Sequence, residues 1–267
     1  MKDLDLKHII ASIEPIVREA GLTALSLQDN LGDIKYKTAK DVVTAADIAS
    51  EKIIVEGIQK AFPTHSIRTE EAGVVSLPGA DPDILWVIDP VDGTVNFSRG
   101  IPFWGVSAGL QVCGKSVGAV CFLPRLGEMY LAYKDGGAYL NGKRIHVSDT
   151  SDIAHAIVTN GDFNVGIPEK INKQNSKNFS AEAAACMRVK CYGSAVAEGC
   201  SLACGRFDGF VMTMSYPWDI TGIACIIEEA GGKATHIDGT DMQFVDAEQV
   251  LFSNGILHNE LVKVLNG

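Results

Sequence analysis

The chain has 267 residues, of which 46% are hydrophobic and 21% are charged. This composition argues against disordered and fibrous proteins and is sufficient for one large core or two lobes. Acidic residues outnumber basic ones by 33 to 23, so nucleic acid is disfavoured as the primary ligand. The sequence has no run of about 18 apolar residues, and its first six residues do not resemble an export signal. We therefore expect a cytoplasmic protein with no membrane partner.

The first part of the chain is predicted to form two helices followed by strands. Apolar residues recur at helical spacing over 5–20, and a Thr-x-x-Asp capping pattern opens a second helix over about 44–62. A strand is predicted over 66–69. The apolar run 84–88 predicts a buried strand that ends in a loop at Asp89.

The rest of the chain alternates between β-rich and helical patterns. Four β-rich runs over 104–147, separated by Gly- and Pro-containing turns, predict an antiparallel meander. The polar, Asn-rich segment 164–178 is predicted to be a mobile surface loop. Further strands are predicted at 157–160, 189–192, 209–214 and 250–253, and further helices at 180–187, 194–204, 219–230 and 257–265. Helices layered on sheets predict an α+β fold with two lobes, 1–145 and 146–267.

The densest chemical signal is the run Asp-Pro-Val-Asp-Gly-Thr at 89–94. Its two carboxylates, Asp89 and Asp92, are predicted to lie in one tight turn. Hard divalent cations such as Mg²⁺ prefer oxygen ligands of this kind. If a helix begins near Thr94, the free N–H groups of Gly93 and Thr94 would face an anion. Asp beside Pro or Gly also caps ordinary turns, so a purely structural role is the alternative.

Acidic residues of three other segments could belong to the same site. Glu70 and Glu71 follow a predicted strand, where they could supply a metal ligand and a neighbour of a general base, or form surface charge. Asp219 and Asp47 each lie at the start of a predicted helix. An ordinary helix-capping role is the alternative for both.

The order of these motifs resembles the inositol monophosphatase family of Mg²⁺-dependent, lithium-sensitive phosphatases. The run 89–97 resembles the first signature of that family, and 218–232 resembles the second. The segments 41–47, 70–71 and 193–195 occur in the corresponding order, so the resemblance covers essentially the whole chain. It implies a layered αβαβα sandwich, a homodimer and inhibition by lithium.

The resemblance also implies a role for individual residues in hydrolysing inositol 1-phosphate or a related small polyol or sugar phosphate. The implied ligands of two or three Mg²⁺ ions are Glu70, Asp89, the Val91 carbonyl, Asp92 and Asp219. The residues implied to position the attacking water are Glu70, Thr94 and Asp47. The implied substrate-binding residues are Asp92, Gly93, Thr94, Ser194, Ala195 and Met212. Lys37 resembles a residue of a mobile loop that closes over the site.

Met212 is a departure from the family pattern. Inositol-preferring members often have a Glu at this position, seven residues before Asp219. Without its charge-assisted hydrogen bonds to vicinal hydroxyls, we expect little preference for inositol 1-phosphate over other small sugar phosphates. A gap-filling core role is the alternative for this methionine. Fructose 1,6-bisphosphate, histidinol phosphate and nucleotide phosphates, which related proteins hydrolyse, remain open as substrates.

Two rival functions come from other classes of protein. The pattern Gly-x-Ser-x-Gly at 105–109 is formally that of a serine hydrolase, but Ser107 lies in a run that continues toward a hairpin instead of turning into a helix. The second rival is a regulatory interaction protein that retains the phosphatase fold. Because every implied metal ligand is present, catalysis is the simpler interpretation.

Overall fold

The computed structural model describes residues 4–30, 35–38, 41–163 and 168–267, without the side chains of residues 30, 35–38 and 41. The helices of these ranges are α1 (Leu6–Leu27), α2 (Ala45–Ala61), α3 (Thr94–Ser98), α4 (Glu169–Ala185), α5 (Ala195–Ala203), α6 (Pro217–Glu229) and α7 (His258–Asn266). The strands are β1 (Lys35–Thr38), β2 (Asp41–Val43), β3 (His65–Thr69), β4 (Gly73–Val74), β5 (Asp81–Asp92), β6 (Gly105–Val112), β7 (Lys115–Leu123), β8 (Glu128–Tyr133), β9 (Gly137–Leu140), β10 (Lys143–Arg144), β11 (Ile157–Asn160), β12 (Arg188–Lys190), β13 (Gly209–Ser215), β14 (Lys233–His236) and β15 (Glu248–Ser253). None of the described helices is long and apolar enough to cross a bilayer.

The first sheet has eight strands in the order β10-β9-β8-β7-β6-β5-β3-β4. The strands from β6 to β10 pair antiparallel, each with the next along the chain, which confirms the predicted meander. β3 pairs with β5 in parallel, so both strands end at the same edge of the sheet. Helices α1 and α2 cover one face, where Ile13, Val17 and Ile54 are completely buried. Burial of this apolar stripe is the main force that holds the two helices on the sheet.

The second sheet has five strands in the order β12-β11-β13-β15-β14. Its two faces support different apolar cores, because the consecutive residues Phe210 and Val211 point to opposite sides of β13 and belong to separate clusters. Helices α5 and α6 contact both sheets from the space between them, whereas α4 and α7 contact each other and the second sheet. The layers are therefore helix, sheet, helix, sheet and helix, as the predicted αβαβα sandwich requires.

The prediction of a mobile loop over 164–178 is wrong from Glu169 onward, because α4 begins there. The spacing of apolar residues does not reveal this helix, because the residues that it buries are polar, namely Asn175, Asn178 and Glu182. Residues 164–167 lie outside the described part of the chain. The hairpin of β1 and β2 and the strand β14 also have no counterpart among the predicted elements.

The boundary predicted between residues 145 and 146 falls between the two sheets. The last strand of the first sheet ends at Arg144, and the second sheet begins at Ile157. Because α5 and α6 pack against both sheets, the halves share a helical layer. The division into two lobes stays a prediction.

Burial of Glu182 makes stability depend on pH. Desolvation raises the pKa of this carboxyl from its usual 4.5 to about 7, although the Asn160 amide donates to both of its oxygens, at 3.1 and 3.0 Å. Since the pKa is higher in the folded state, the protonated carboxyl favours folding at low pH. That contribution is lost as pH rises through the interval from 4.5 to about 7.

We expect Glu182→Gln to remove this pH dependence. We compare the free energy of unfolding of the variant with that of the parent chain at two pH values. Between about pH 5 and about pH 8, the difference should change in favour of the variant by roughly 2 to 3 kcal/mol. Urea unfolding at the two pH values measures the difference. Glu169→Gln is the control, because Glu169 is exposed on the same helix. Equal pH dependence of the two variants would contradict the prediction.

Candidate active site

The acidic motif 89–94 begins inside β5, because this strand continues to Asp92 instead of ending in a loop at Asp89 as predicted. The regular pairing of β5 with β6 breaks between Asp89 and Asp92. The Val91 N–H donates to Asp89 Oδ1 at 3.1 Å, and the Pro90 carbonyl accepts from the Ser50 hydroxyl at 2.7 Å. Pro90 has no N–H of its own, which favours a break in the ladder here. α3 then begins at Thr94, so the helix start on which the anion-binding role of the Gly93 and Thr94 N–H groups depends is present.

Asp89, Asp92 and Asp219 form one cluster. Each offers a carboxylate oxygen, and these three atoms lie within 4.8 Å of one another. Asp219 is in the first turn of α6, where its Oδ2 also accepts from the Tyr216 N–H at 2.7 Å. It therefore caps a helix and contributes a carboxylate to the cluster, so the two interpretations of this residue are compatible.

Burial, and repulsion between the carboxylates, disfavour negative charge in the cluster. Burial raises the pKa of Asp89 well above its usual range, and the charges of Glu70, Asp92 and Asp219 add to the shift. Burial also raises the pKa of Asp219 well above its usual range, with smaller contributions from Asp92 and Glu70. Glu70, directly after β3, is therefore close to the cluster. No described lysine or arginine side chain forms an ion pair with the three aspartates. A group of buried oxygen donors without a compensating cation fits a hard divalent metal ion.

Asp47 links the start of α2 to Thr94. Its Oδ2 accepts from the Thr44 N–H at 2.8 Å and the Thr44 hydroxyl at 2.6 Å, which forms the predicted helix cap. Its Oδ1 lies 3.2 Å from the Thr94 hydroxyl oxygen, which is also 2.9 Å from the Val91 carbonyl oxygen. Burial raises the pKa of Asp47, and these hydrogen bonds oppose the shift. The Thr94 hydroxyl can donate to either acceptor, and its lone pairs are left for another donor.

Asp92 joins the metal cluster to the N-terminus of α5. It accepts from the Ser194 hydroxyl, from the Ala195 N–H at 3.0 Å and from the Val196 N–H at 2.9 Å. Burial raises its pKa to about 6, and the three hydrogen bonds oppose that rise. The structure thus brings Ser194 and Ala195 to the cluster, with their polar groups engaged by Asp92.

Gly93 and Asn96 keep the segment 89–97 packed against the residues that precede α5. Gly93 has a φ of 82°, and a Cβ there would lie 3.1 Å from the Gly193 carbonyl oxygen, so both conformation and space favour glycine. The Asn96 side chain is buried and donates to the carbonyls of Phe103 and Tyr192, at 2.8 and 2.6 Å. The sequence alone assigns Asn96 no role, because its partners are backbone carbonyls 7 and 96 residues away.

Of the two remaining predicted residues, Met212 has a described side chain and Lys37 does not. Met212 is partly exposed in β13, where it pairs with Val250 and packs against the core between the sheets. Its Cγ is 3.4 Å from the position that a Cβ on Gly161 would occupy. Met212 therefore has the packing role of a core residue, although part of its side chain is exposed. Lys37 lies in β1, and its side chain is outside the described part of the chain.

The serine hydrolase interpretation fails on geometry. Ser107 is completely buried inside β6, which continues to Val112 without the sharp turn into a helix that a nucleophile elbow requires. Its hydroxyl accepts from the Cys121 thiol at 3.4 Å. A Cβ on Gly222 would lie 2.5 Å from the same oxygen, so a substrate has no room to reach it.

The whole chain is similar to proteins of one known family. A profile of the inositol monophosphatase family matches residues 5–266. The chain belongs to the inositol monophosphatase family. A fructose-1,6-bisphosphatase/inositol-1-monophosphatase of Thermotoga maritima is 32% identical over 94% of this chain and 93% of its own length. A Nus factor SuhB of Pasteurella multocida is 34% identical over 92% of each chain.

Solved structures of inositol monophosphatases agree with this assignment. That of a Thermotoga maritima IMPase superposes with a TM-score of 0.86, at 31% identity, over 97% of both chains. The resemblance found in the motifs and the fold that it implied are both confirmed. Membership of the inositol monophosphatase family supports a phosphatase activity.

Proposed function

We propose that the protein is a Mg²⁺-dependent phosphomonoesterase that hydrolyses inositol 1-phosphate or a related small polyol or sugar phosphate. The observation that carries the proposal is the cluster of Asp89, Asp92 and Asp219 beside the hydrogen-bonded pair of Thr94 and Asp47. A phosphate monoester is doubly anionic, so an approaching nucleophile must be shielded from its charge. Uncompensated carboxylates would repel that substrate, which is why the site needs a metal.

The donor set fits Mg²⁺ better than a soft metal, because it contains oxygen atoms and no thiol or imidazole. We propose that Glu70, Asp89, the Val91 carbonyl, Asp92 and Asp219 hold two or three ions. When bound, Mg²⁺ lowers the pKa of a coordinated water and neutralises charge on the phosphate.

The remaining roles belong to side chains and amides around the cluster. Thr94, whose hydroxyl lies between Asp47 and the Val91 carbonyl, would orient the attacking water through its free lone pairs, and Glu70 would assist. The N–H groups of Gly93 and Thr94 would donate to phosphate oxygens. Ser194, Ala195 and Met212 would line the alcohol side of the site.

The proposal is tested by measuring phosphate release from a panel of esters at one Mg²⁺ concentration, with and without excess chelator. The panel contains inositol 1-phosphate, fructose 1,6-bisphosphate, histidinol phosphate, a nucleoside monophosphate and the generic ester p-nitrophenyl phosphate. We expect chelation to abolish release and added Mg²⁺ to restore it, because the carboxylates alone repel the substrate.

Full activity in excess chelator would refute the metal mechanism. Absence of release from every ester would refute the phosphatase proposal and favour a regulatory interaction protein. This alternative is retained because one relative is named a Nus factor. The distribution of rates over the panel distinguishes an inositol or sugar monophosphatase from a fructose-1,6-bisphosphatase, a histidinol-phosphatase or a nucleotide phosphatase.

A further inference from the structure

The three parallel strands of the second sheet end at one edge, next to the acidic cluster. β11 lies between β12 and β13 and pairs with both in parallel. The chain after β12 reaches Ser194, and the chain after β13 reaches Asp219. Ligands of layered α/β sheets commonly bind at the carboxyl ends of parallel strands. The middle strand ends at Asn160, and the first charged residue after it is Asp162.

The carboxylate of Asp162 lies against the turn that carries Ser194. Gly193 has a φ of 73°, and a Cβ at this glycine would lie 2.7 Å from Asp162 Oδ2 and 3.2 Å from Oδ1. The next residue, Ser194, donates its hydroxyl to Asp92. Asp162 itself is exposed, so its carboxylate is accessible to a ligand.

The backbone that carries Asp162 is held from both sides. The Gly161 N–H donates to the Val211 carbonyl at 2.8 Å, which extends the pairing of β11 with β13. The buried amide of Asn175, on α4, lies within 3.4 and 3.3 Å of the carbonyl oxygens of Gly161 and Asp162. Met212 packs against Gly161 on the β13 side. Asp162 therefore follows a supported turn whose Gly161 lies against Met212, the residue at which the family resemblance implies a hydroxyl-binding Glu.

We infer that Asp162 is a specificity-determining residue that accepts hydrogen bonds from the hydroxyl groups of a polyol or sugar monophosphate and disfavours a second phosphate. This inference rests on the proposed function. A carboxylate is an acceptor only, so it pairs well with vicinal hydroxyls and repels another anion. Asp162 thus supplies the chemistry that Met212 lacks. The weak preference expected from Met212 alone is replaced by selection for a hydroxylated monoester.

A role as a further ligand of the metal cluster fits Asp162 less well. Among the described carboxylates, the cluster within 4.8 Å contains Asp89, Asp92 and Asp219 and does not include it. Ser194 separates it from Asp92, because this serine donates to Asp92 and directly follows Gly193. The position fits a group that contacts the alcohol part of a substrate whose phosphate is bound at the cluster.

The test compares Asp162→Asn with the parent chain on three esters in Mg²⁺. Inositol 1-phosphate offers hydroxyls, fructose 1,6-bisphosphate offers a second phosphate, and p-nitrophenyl phosphate offers neither and serves as the reference. The ratio of kcat/KM for inositol 1-phosphate to that for the reference should fall by about tenfold, mainly through KM. The same ratio for fructose 1,6-bisphosphate should rise. Asp152→Asn is the control, since Asp152 is an exposed acid away from this edge, and it removes the same charge.

A fall of less than threefold in the inositol 1-phosphate ratio would overturn the inference while leaving the phosphatase proposal intact. If no ester releases phosphate, the proposed function fails, and calorimetric titration with inositol 1-phosphate decides the role of Asp162. Asp162→Asn should then weaken binding by about tenfold relative to Asp152→Asn. Equal affinities of the two variants would refute the inference.

Discussion

Asp219→Asn is expected to lower kcat by about 10²- to 10³-fold or more. Replacing one charged ligand by a neutral amide removes several kcal/mol of electrostatic stabilisation, and each 1.36 kcal/mol is about tenfold in rate. The Asn side chain has the same size and can still accept from the Tyr216 N–H, which Asp219 bonds at 2.7 Å. Steady-state kinetics at saturating Mg²⁺ and inositol 1-phosphate measure the loss, and Asp89→Asn should behave in the same way.

The stability of the metal-free variant separates a lost ligand from a damaged fold. Burial and repulsion by Asp92 and Glu70 both disfavour the charge of Asp219, so its removal should leave the thermal midpoint unchanged or raise it. The added stability that Mg²⁺ gives the parent chain should shrink in the variant. A folded Asp219→Asn enzyme with near-normal kcat would show that the ligand assignment is wrong. Asp152→Asn should behave like the parent chain.

The acidic cluster could be predicted because its members carry local signals. Asp89 and Asp92 lie three residues apart at the end of β5, and Asp219 lies in the first turn of a helix that the apolar pattern already predicts. Each position had a capping alternative, and the structure shows why that ambiguity arises. Asp47 and Asp219 do cap helices, and the same carboxylates face the cluster or Thr94.

Asp162 could not be predicted, because its place depends on strand order. Nothing in the local sequence indicates that β11 is inserted between β12 and β13, so a lone Asp after a short strand carries no signal. The helix that supports its turn was missed for a related reason. α4 buries amide and carboxyl groups such as Asn175 and Glu182, and a pattern of buried polar residues cannot be distinguished from an exposed loop without the fold.

Thr94→Ala is expected to lower kcat by roughly 10²-fold with little change in the Mg²⁺ concentration that gives half-maximal activity. The Thr94 hydroxyl lies 3.2 Å from Asp47 Oδ1 and 2.9 Å from the Val91 carbonyl oxygen, so it can donate to either acceptor and its lone pairs are left for a water molecule. An oriented general acid–base partner of this kind typically contributes roughly 10²- to 10⁴-fold. Initial rates over a range of Mg²⁺ and substrate concentrations separate the two effects.

Two further variants distinguish orientation of water from a packing role for Thr94. Thr94→Ser keeps the hydroxyl and should recover most of kcat, whereas a purely structural methyl contact would not be restored. If Thr94 and Asp47 act as one unit, Asp47→Asn should cost much less in the Thr94→Ala background than in the parent chain. Independent, multiplicative losses would show that Asp47 only caps α2. A Thr94→Ala enzyme within about threefold of the parent kcat would remove Thr94 from the mechanism, since oriented proton transfer contributes at least roughly 10²-fold.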